Sequence, residues 1–399
     1  MKKTSIGLFG FGVVGQGLYN ILTKTNHFKA EINKICVKNQ DKTRPLPSER
    51  FTYYHTDILE DENIDLVVEV ISDAEEAYKI VTNALRHGKN VVTANKKMVA
   101  QHLEELIQLQ EETGASLTYE ASSCGSIPII RTLEEYFDNE PLQSVSGIFN
   151  GTCNYILSQI FHHHLSYQSA LQQAQQLGFA EADPTLDISG IDALNKLCIL
   201  TCHAFGITIL PHHIFTAGIQ NLNTYDIDYA RAKGGTIKPL AIAKKTNENC
   251  IVPLVMPALV DEKNALFSVD NEDNVVLVDG LFSGKQLFKG KGAGGFPTGA
   301  AVLSDISANF YDYRYSYKKR QIANRASSSL HYEPDFSFEA YLRFPAEENM
   351  VEKLQITDIK DRGNAGNDTY IVGKVNLMQL LEHRKHMEDT NVFVMVVDL

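Results

Sequence analysis

The chain has no tryptophan, no CxxC pair among its six cysteines, and no apolar run approaching the ~20 residues that a membrane helix needs. The cysteines stand at positions 36, 124, 153, 198, 202 and 250 without His/Cys zinc spacing, so they read as reduced thiols of a cytoplasmic protein rather than as disulfide staples. Positive charge is also short. The 37 Lys and Arg against 49 Asp and Glu leave a formal net charge of −12, which argues against nucleic acid or an anionic membrane as partner. The basic, apolar N-terminus resembles an export signal only superficially, because glycines 7, 10, 12, 15 and 17 interrupt it and no small-residue cleavage site follows. With 44% hydrophobic and 22% charged residues over 399 positions, what remains is an ordinary globular chain of two or three domains.

The first pattern present is a strand at residues 4–9 running into Gly10-Phe11-Gly12-Val13-Val14-Gly15, followed by an apolar helical repeat through Leu18, Ile21 and Leu22. In a GxGxxG the first glycine permits a tight turn, the second admits a pyrophosphate to backbone N–H groups, and the third lets helix and strand pack closely. The strand-turn-helix context points to a dinucleotide site. After the next strand, residues 31–37, an acidic residue would bond the ribose 2′-hydroxyl of NAD. The chain offers Lys38 instead, which favours the 2′-phosphate of NADP with NAD still open; the alternative is a solvated loop lysine. Further strands at 64–71, 90–93 and 116–119 alternate with helices at 74–87 and 98–112, the signature of a parallel sheet covered on both faces. Ligands bind beyond the carboxyl ends of such strands. That draws attention to Thr93-Ala94-Asn95-Lys96 and to residues 120–126; Lys96 is expected to face the ligands and Lys97 to open the helix.

Beyond Arg131 the pattern changes. A strand at 142–149 leads into a turn and helix cap at 150–152, and a Gln-rich helix at 166–177 stops at Gly178. The loop after it carries Glu181, Asp183 and Asp187, and Gly190 opens a helix whose Ile191, Leu194, Leu197 and Cys198 make one apolar face. Asp192 and Lys196 lie four apart at the border of that face. They read either as an ordinary solvated pair, worth ~0.3 to 0.5 kcal/mol, or as a carboxylate and an amine able to trade a proton with a small polar substrate. The tract His162–His164 points three ways on a helix and reads as surface rather than metal site. Strands at 240–243, 252–259, 274–278 and 284–289 suggest a mixed sheet. A second glycine-rich loop, residues 290–298, precedes a helix at 300–310; Gly294 there suits close approach to a cofactor, or the loop is a hinge.

Taken together, GFGVVG at 10–15, TANK at 93–96, YEASSCGSIPII at 119–130, GIFNGTCNYIL at 147–157, the run from 177 to 200 and GKGAGGFPTGAAV at 290–302 resemble the homoserine dehydrogenase family. The resemblance implies NAD(P)-dependent interconversion of L-homoserine and L-aspartate 4-semialdehyde on the way to threonine and methionine. It makes Lys196 the proton donor and acceptor and Lys96 the second lysine of the site. Glu181, Asp187 and Asp192 correspond to residues at the substrate amine, with Gly178 beside them. It also implies a Na⁺ or K⁺ held mainly by backbone oxygens of Glu120, Ser123, Gly125 and Ile127, although SSCGS departs from the family's usual alanine-, valine- and glycine-rich version.

The expected architecture is α/β: a Rossmann-type domain at 1–130, a central α+β substrate and dimerisation domain with a mixed sheet at 131–320 whose last helix packs back on the first, a linker at 321–337 and a degenerate ACT-like βα domain at 338–399. The tail is expected as a small sheet used for oligomer contacts, in a homodimer. Two other readings stand beside the dehydrogenase: a non-catalytic NADP-binding sensor, and a semialdehyde dehydrogenase using Cys124 or Cys153 as nucleophile.

Overall fold

A computed structural model describes residues 3–25, 29–325 and 330–399; residues 326–329 of the expected linker lie outside these. The chain forms two compact units, Met1–Asp138 with Gly290–Lys318, and Asn139–Lys289 with Lys319–Leu399.

In the first unit six strands, β1 (Thr4–Phe9), β2 (Ala30–Cys36), β3 (Phe51–Thr52), β4 (Leu66–Glu69), β5 (Asn90–Thr93) and β6 (Leu117–Thr118), form one sheet in the order β3-β2-β1-β4-β5-β6. Every pairing in it is parallel. That order, with its reversal between β1 and β4, is the doubly wound dinucleotide-binding topology. Ile6, Leu8, Leu66, Val68 and Val92 are buried, as strands covered on both faces require. Helix Gly295–Asn309, distant in sequence, belongs to this unit and packs along helix Val13–Lys24. Small residues make this possible: a Cβ on Gly17 would lie 2.1 Å from the Gly295 carbonyl oxygen, and one on Gly299 2.9 Å from the Leu18 nitrogen.

The second unit is built on an eleven-stranded mixed sheet. Its strands are β7 (Leu142–Ile148), β8 (Phe215–Thr216), β9 (Thr236–Lys245), β10 (Cys250–Val260), β11 (Asp273–Gly280), β12 (Gly284–Lys291), β13 (His331–Tyr332), β14 (Ser337–Pro345), β15 (Thr357–Ala365), β16 (Asp368–Asn376) and β17 (Phe393–Asp398). The main order is β12-β11-β7-β9-β10-β17-β14-β16-β15, and β8 and β13 also pair with β10. The tail, expected as a small sheet of its own, therefore joins the central sheet. The join is the parallel pairing of Ala258 with Val396, and β17 is apolar enough to sit in the sheet interior, with Phe393 to Val396 all buried. Strand β15, TDIKDRGNA, shows no apolar alternation because it is the exposed edge, paired among the described residues only with β16. Helix Thr224–Ala232 also lacks a sequence signal from periodicity, yet Asn223 and Asp226 close a reciprocal capping box at its start.

Helix Ile191–Phe205 contacts β7, β9 and β10 and is buried from Asp192 through to Phe205. Its apolar stripe implies cover on one face only. Both faces are covered, so the polar positions of the helix are enclosed as well.

Candidate active site

The first unit presents the glycine turn with the geometry its sequence implies. Gly10 has φ +97, and its nitrogen donates to the Cys36 carbonyl at 3.0 Å, tying the turn to the end of β2. A Cβ on Gly15 would stand 2.4 Å from the Gly10 oxygen, so the third glycine is required by packing. A Cβ on Gly12 would meet nothing within 4 Å, which leaves open space over the start of helix Val13–Lys24. Phe11 is buried, Val14 is partly buried against the same core, and Val13 is exposed at the helix start. Gly294, with φ +116, caps helix Gly295–Asn309, and a Cβ on Gly295 would come 2.9 Å from the Val13 oxygen. Two helix N-termini thus meet at the glycine turn. Their N–H groups and dipoles make an anion cradle, which fits a pyrophosphate.

Lys38 is exposed just past β2. Arg44, which the sequence leaves unplaced, holds that loop: it donates to the Asn39 oxygen at 2.5 Å and the Lys42 oxygen at 2.9 Å. Its guanidinium lies 5.2 Å from the Phe51 ring centroid, and Phe51 meets Phe11 edge-on at 5.5 Å. At the carboxyl ends of β4 and β5, Thr93 donates to the buried Glu69 carboxylate and accepts the Asn95 N–H at 3.0 Å. Asn95 in turn caps the next helix through the Met98 N–H, at 3.0 Å. Lys96, not Lys97, opens that helix, because Asn95 is its cap. Burial pushes the Glu69 carboxyl up to about 7 against the opposing bonds from Thr93 and the Ile71 N–H. In sequence Glu69 reads only as part of a strand.

In the YEA region the Glu120 carboxylate is committed: it accepts the Ile130 and Arg131 N–H groups at 2.8 and 2.9 Å and lies 3.5 Å from the Arg131 guanidinium. Any cation role of Glu120 therefore falls to its backbone. Cys124 and Gly125 both have positive φ, and the Ser123 hydroxyl is buried without a hydrogen-bond partner among the described residues. Ile127 is buried next to this turn and takes the Cys124 carbonyl through its N–H at 3.2 Å.

In the second unit, Lys196 and Asp192 form no solvated pair. Their side chains are 7% and 8% exposed and Lys196 Nζ donates to Asp192 Oδ2 at 2.8 Å. Lys196 also donates to the Phe149 carbonyl at 2.7 Å. Asn150, legible in sequence only as a turn and cap, is the hub: its amide donates to Asp187 at 2.8 Å and Asp192 at 2.9 Å while its oxygen takes the Cys153 N–H at 2.7 Å. Asn274 adds a donor to the Phe149 carbonyl at 3.0 Å, and its own oxygen is buried without a partner among the described residues. The signal for Asn150 is its place between a strand and a helix; Asn274 carries none, lying inside a strand. Asp183 instead turns to Thr185 at the start of the short helix Thr185–Ile188. Glu181 is exposed, and no hydrogen bond among the described residues reaches its carboxylate. Gly178 has φ +77 with open space where a Cβ would be.

The thiols do not fit a nucleophile. Cys153 donates to the Asp187 carbonyl at 3.2 Å, and burial together with Asp187 and Asp192 pushes its thiol well up. Cys124 is fully buried. Among the described residues the six cysteines form no disulfide, and no helix is long and apolar enough to cross a membrane.

Known proteins resemble this chain over most of its length. The family model described as "Homoserine dehydrogenase" matches residues 128–307, and the one described as "Homoserine dehydrogenase, NAD binding domain" matches residues 10–120. The homoserine dehydrogenase of Bacillus subtilis is 34% identical over 374 residues, which is 91% of this chain and 86% of that protein. That of Helicobacter pylori is 39% identical over 312 residues, 76% of this chain and 73% of its own. The solved structure of a homoserine dehydrogenase from Thiobacillus denitrificans superposes with a TM-score of 0.84 at 32% identity, covering 100% of this chain and 99% of that one. The chain belongs to the homoserine dehydrogenase family, whose members are NAD(P)-dependent oxidoreductases acting on a CH–OH group.

Proposed function

We propose that this chain interconverts L-homoserine and L-aspartate 4-semialdehyde with Lys196 as the group that moves the proton. The observation that carries the reading is the buried Lys196–Asp192 pair, held by the Phe149 carbonyl and by Asn150. Oxidising the alcohol removes a hydride from carbon and a proton from oxygen. A bound nicotinamide supplies the hydride acceptor. Lys196 takes the hydroxyl proton in this direction and returns it to the aldehyde oxygen in the other. Asp192 orients the amine through its 2.8 Å bond. Asp187, with Glu181, Asp192 and the open backbone at Gly178, holds the substrate ammonium, because a charge removed from water needs charged partners. Lys96 is the second lysine that the family resemblance implies for the reaction.

NADP is the preferred cofactor. Lys38 and Arg44 stand beyond β2 with no acidic side chain at its end, and Gly10 to Gly15 with Gly294 cradle the pyrophosphate beside Thr93 and Lys96. The Ser123 hydroxyl, buried without a partner among the described residues, and the positive φ of Cys124 and Gly125 fit a Na⁺ or K⁺ held by oxygens of Glu120, Ser123, Gly125 and Ile127. The working form is a homodimer, supported by exposed Leu281, Phe282 and Leu287 along the β12 edge of the sheet.

The experiment is reduction of NADP⁺ and of NAD⁺ by the purified protein with L-homoserine at alkaline pH, with and without added Na⁺ or K⁺. Turnover faster with NADP⁺ and raised by the cation is expected. Measurable NADP binding with no turnover would leave the sensor reading standing.

A further inference from the structure

Away from these residues, three side chains of mixed chemistry converge where β13 joins β10. Cys250 opens β10 and is buried; His331 opens β13 and Glu333 follows it. The strands pair in parallel with Cys250 opposite His331 and Ile251 opposite Tyr332. Backbone bonds fix this register: the His331 N–H reaches the Asn249 oxygen at 2.8 Å and the Glu333 N–H reaches the Ile251 oxygen at 3.1 Å. Because side chains alternate along a strand, His331 and Glu333 fall on the same face as Cys250. Tyr332 points the other way, its hydroxyl bonded to the His213 carbonyl at 3.0 Å. One ligand atom from each of Cys250, His331 and Glu333 lies within 4.8 Å of the other two.

The spacing decides which ion these atoms suit. A tetrahedral zinc with Zn–S of about 2.3 Å and Zn–N of about 2.0 Å places its sulfur and nitrogen ligands about 3.5 Å apart. Cys250 Sγ and His331 Nε2 are 3.5 Å apart. Thiolate and imidazole select zinc over Mg²⁺ or Ca²⁺, and the carboxylate supplies a third ligand of a type zinc accepts, with the fourth position left to water. The Asp335 N–H, donating to Glu333 Oε1 at 2.9 Å, steadies the carboxylate as an outer partner.

We infer that Cys250, His331 and Glu333 form a zinc site with one open position that fastens the chain leading into β14 onto the first residue of β10. Binding exchanges the thiol proton for the metal, with the proton released to solvent. The site is separate from the residues given roles in the reaction. It is invisible in sequence because its ligands are 81 and 83 positions apart from Cys250 and follow no zinc spacing.

The test uses the full chain, stripped with a chelator and titrated with Zn²⁺ or Co²⁺. Elemental analysis is expected to return about one zinc per chain. Cobalt should give a sulfur-to-metal charge-transfer band, and zinc should raise the melting temperature. Cys250→Ser should abolish the band, and Glu333→Gln, altering only a partly exposed carboxylate, should weaken zinc binding while circular dichroism stays unchanged. No stoichiometric zinc in the native chain, or zinc and the cobalt band retained in Cys250→Ser, overturns the inference. A folded Glu333→Gln with undiminished affinity removes that residue from the site and overturns the three-ligand set.

Discussion

The Lys196 side chain is only 7% exposed, which alters what its loss should do. In an exposed helix the pair with Asp192 would be nearly neutral, whereas removing one partner of a buried pair costs about 3–5 kcal/mol by stranding the other charge. The Asn150 amide, which donates to Asp192 at 2.9 Å, is expected to keep that bond in Lys196→Ala and so to lessen the penalty. The variant should remain folded and bind NADP while kcat falls by about 10²-fold or more, the usual worth of a positioned acid or base. Steady-state kinetics beside a cofactor titration reads both; retained turnover refutes the role given to Lys196. Glu69 makes a second residue-scale case. Burial raises its folded pKa to about 7 from an ordinary 4.5, so between those values the folded state binds the additional proton. Its contribution to stability is therefore fully present below about pH 4.5 and is lost as pH rises through about 7, by up to about 3 kcal/mol. Glu69→Gln removes that titration. Urea unfolding across this range should show the native chain losing stability relative to the variant as pH rises, and parallel curves would disprove the linkage.

The helices beginning at Val13 and Gly295 depend on two chain segments approaching without side chains between them. Gly17 is the tightest contact: an alanine methyl there would sit 2.1 Å from the Gly295 oxygen, and backbone cannot swing aside as a long side chain can. Gly17→Ala should therefore cost about 1–3 kcal/mol, the range of an overpacked core, and weaken NADP binding by shifting Gly294 and Gly12 apart. Differential scanning calorimetry with a cofactor titration measures both effects; an unchanged melting temperature would show that the helix pair yields without strain. This scale also explains which elements were legible. Strands β1, β4 and β5 and helix Ala74–Arg86 announce themselves through apolar runs, a clear period and the Asp73 cap on the Glu76 N–H. Edge strand β15 does not, because nothing packs on much of its surface to demand a hydrophobic pattern.

For the molecule, the eleven-stranded sheet ends at β12, where Leu281 and Phe282 in the adjoining turn are 58% and 79% exposed and Leu287 is 45% exposed. An edge strand with bare apolar side chains normally needs cover. Light scattering after size exclusion should give a mass near twice 44.5 kDa. Phe282→Glu should shift it toward the single-chain mass; a native monomer would refute the dimer.

The sequence by itself determined the dinucleotide fold, since glycine spacing and strand-helix alternation are local consequences of backbone geometry. It also marked Asp187, Asp192 and Lys196, because acids and a lysine in an apolar run are conspicuous. Only the tertiary structure decided that Lys196 is buried rather than solvated, and that Asn150 joins both aspartates. The same holds for the merging of the tail strands with the central sheet through β17. Each of these turns on which distant segments exclude water from a given side chain, and burial of that kind is a property of the packed chain that no local spacing encodes.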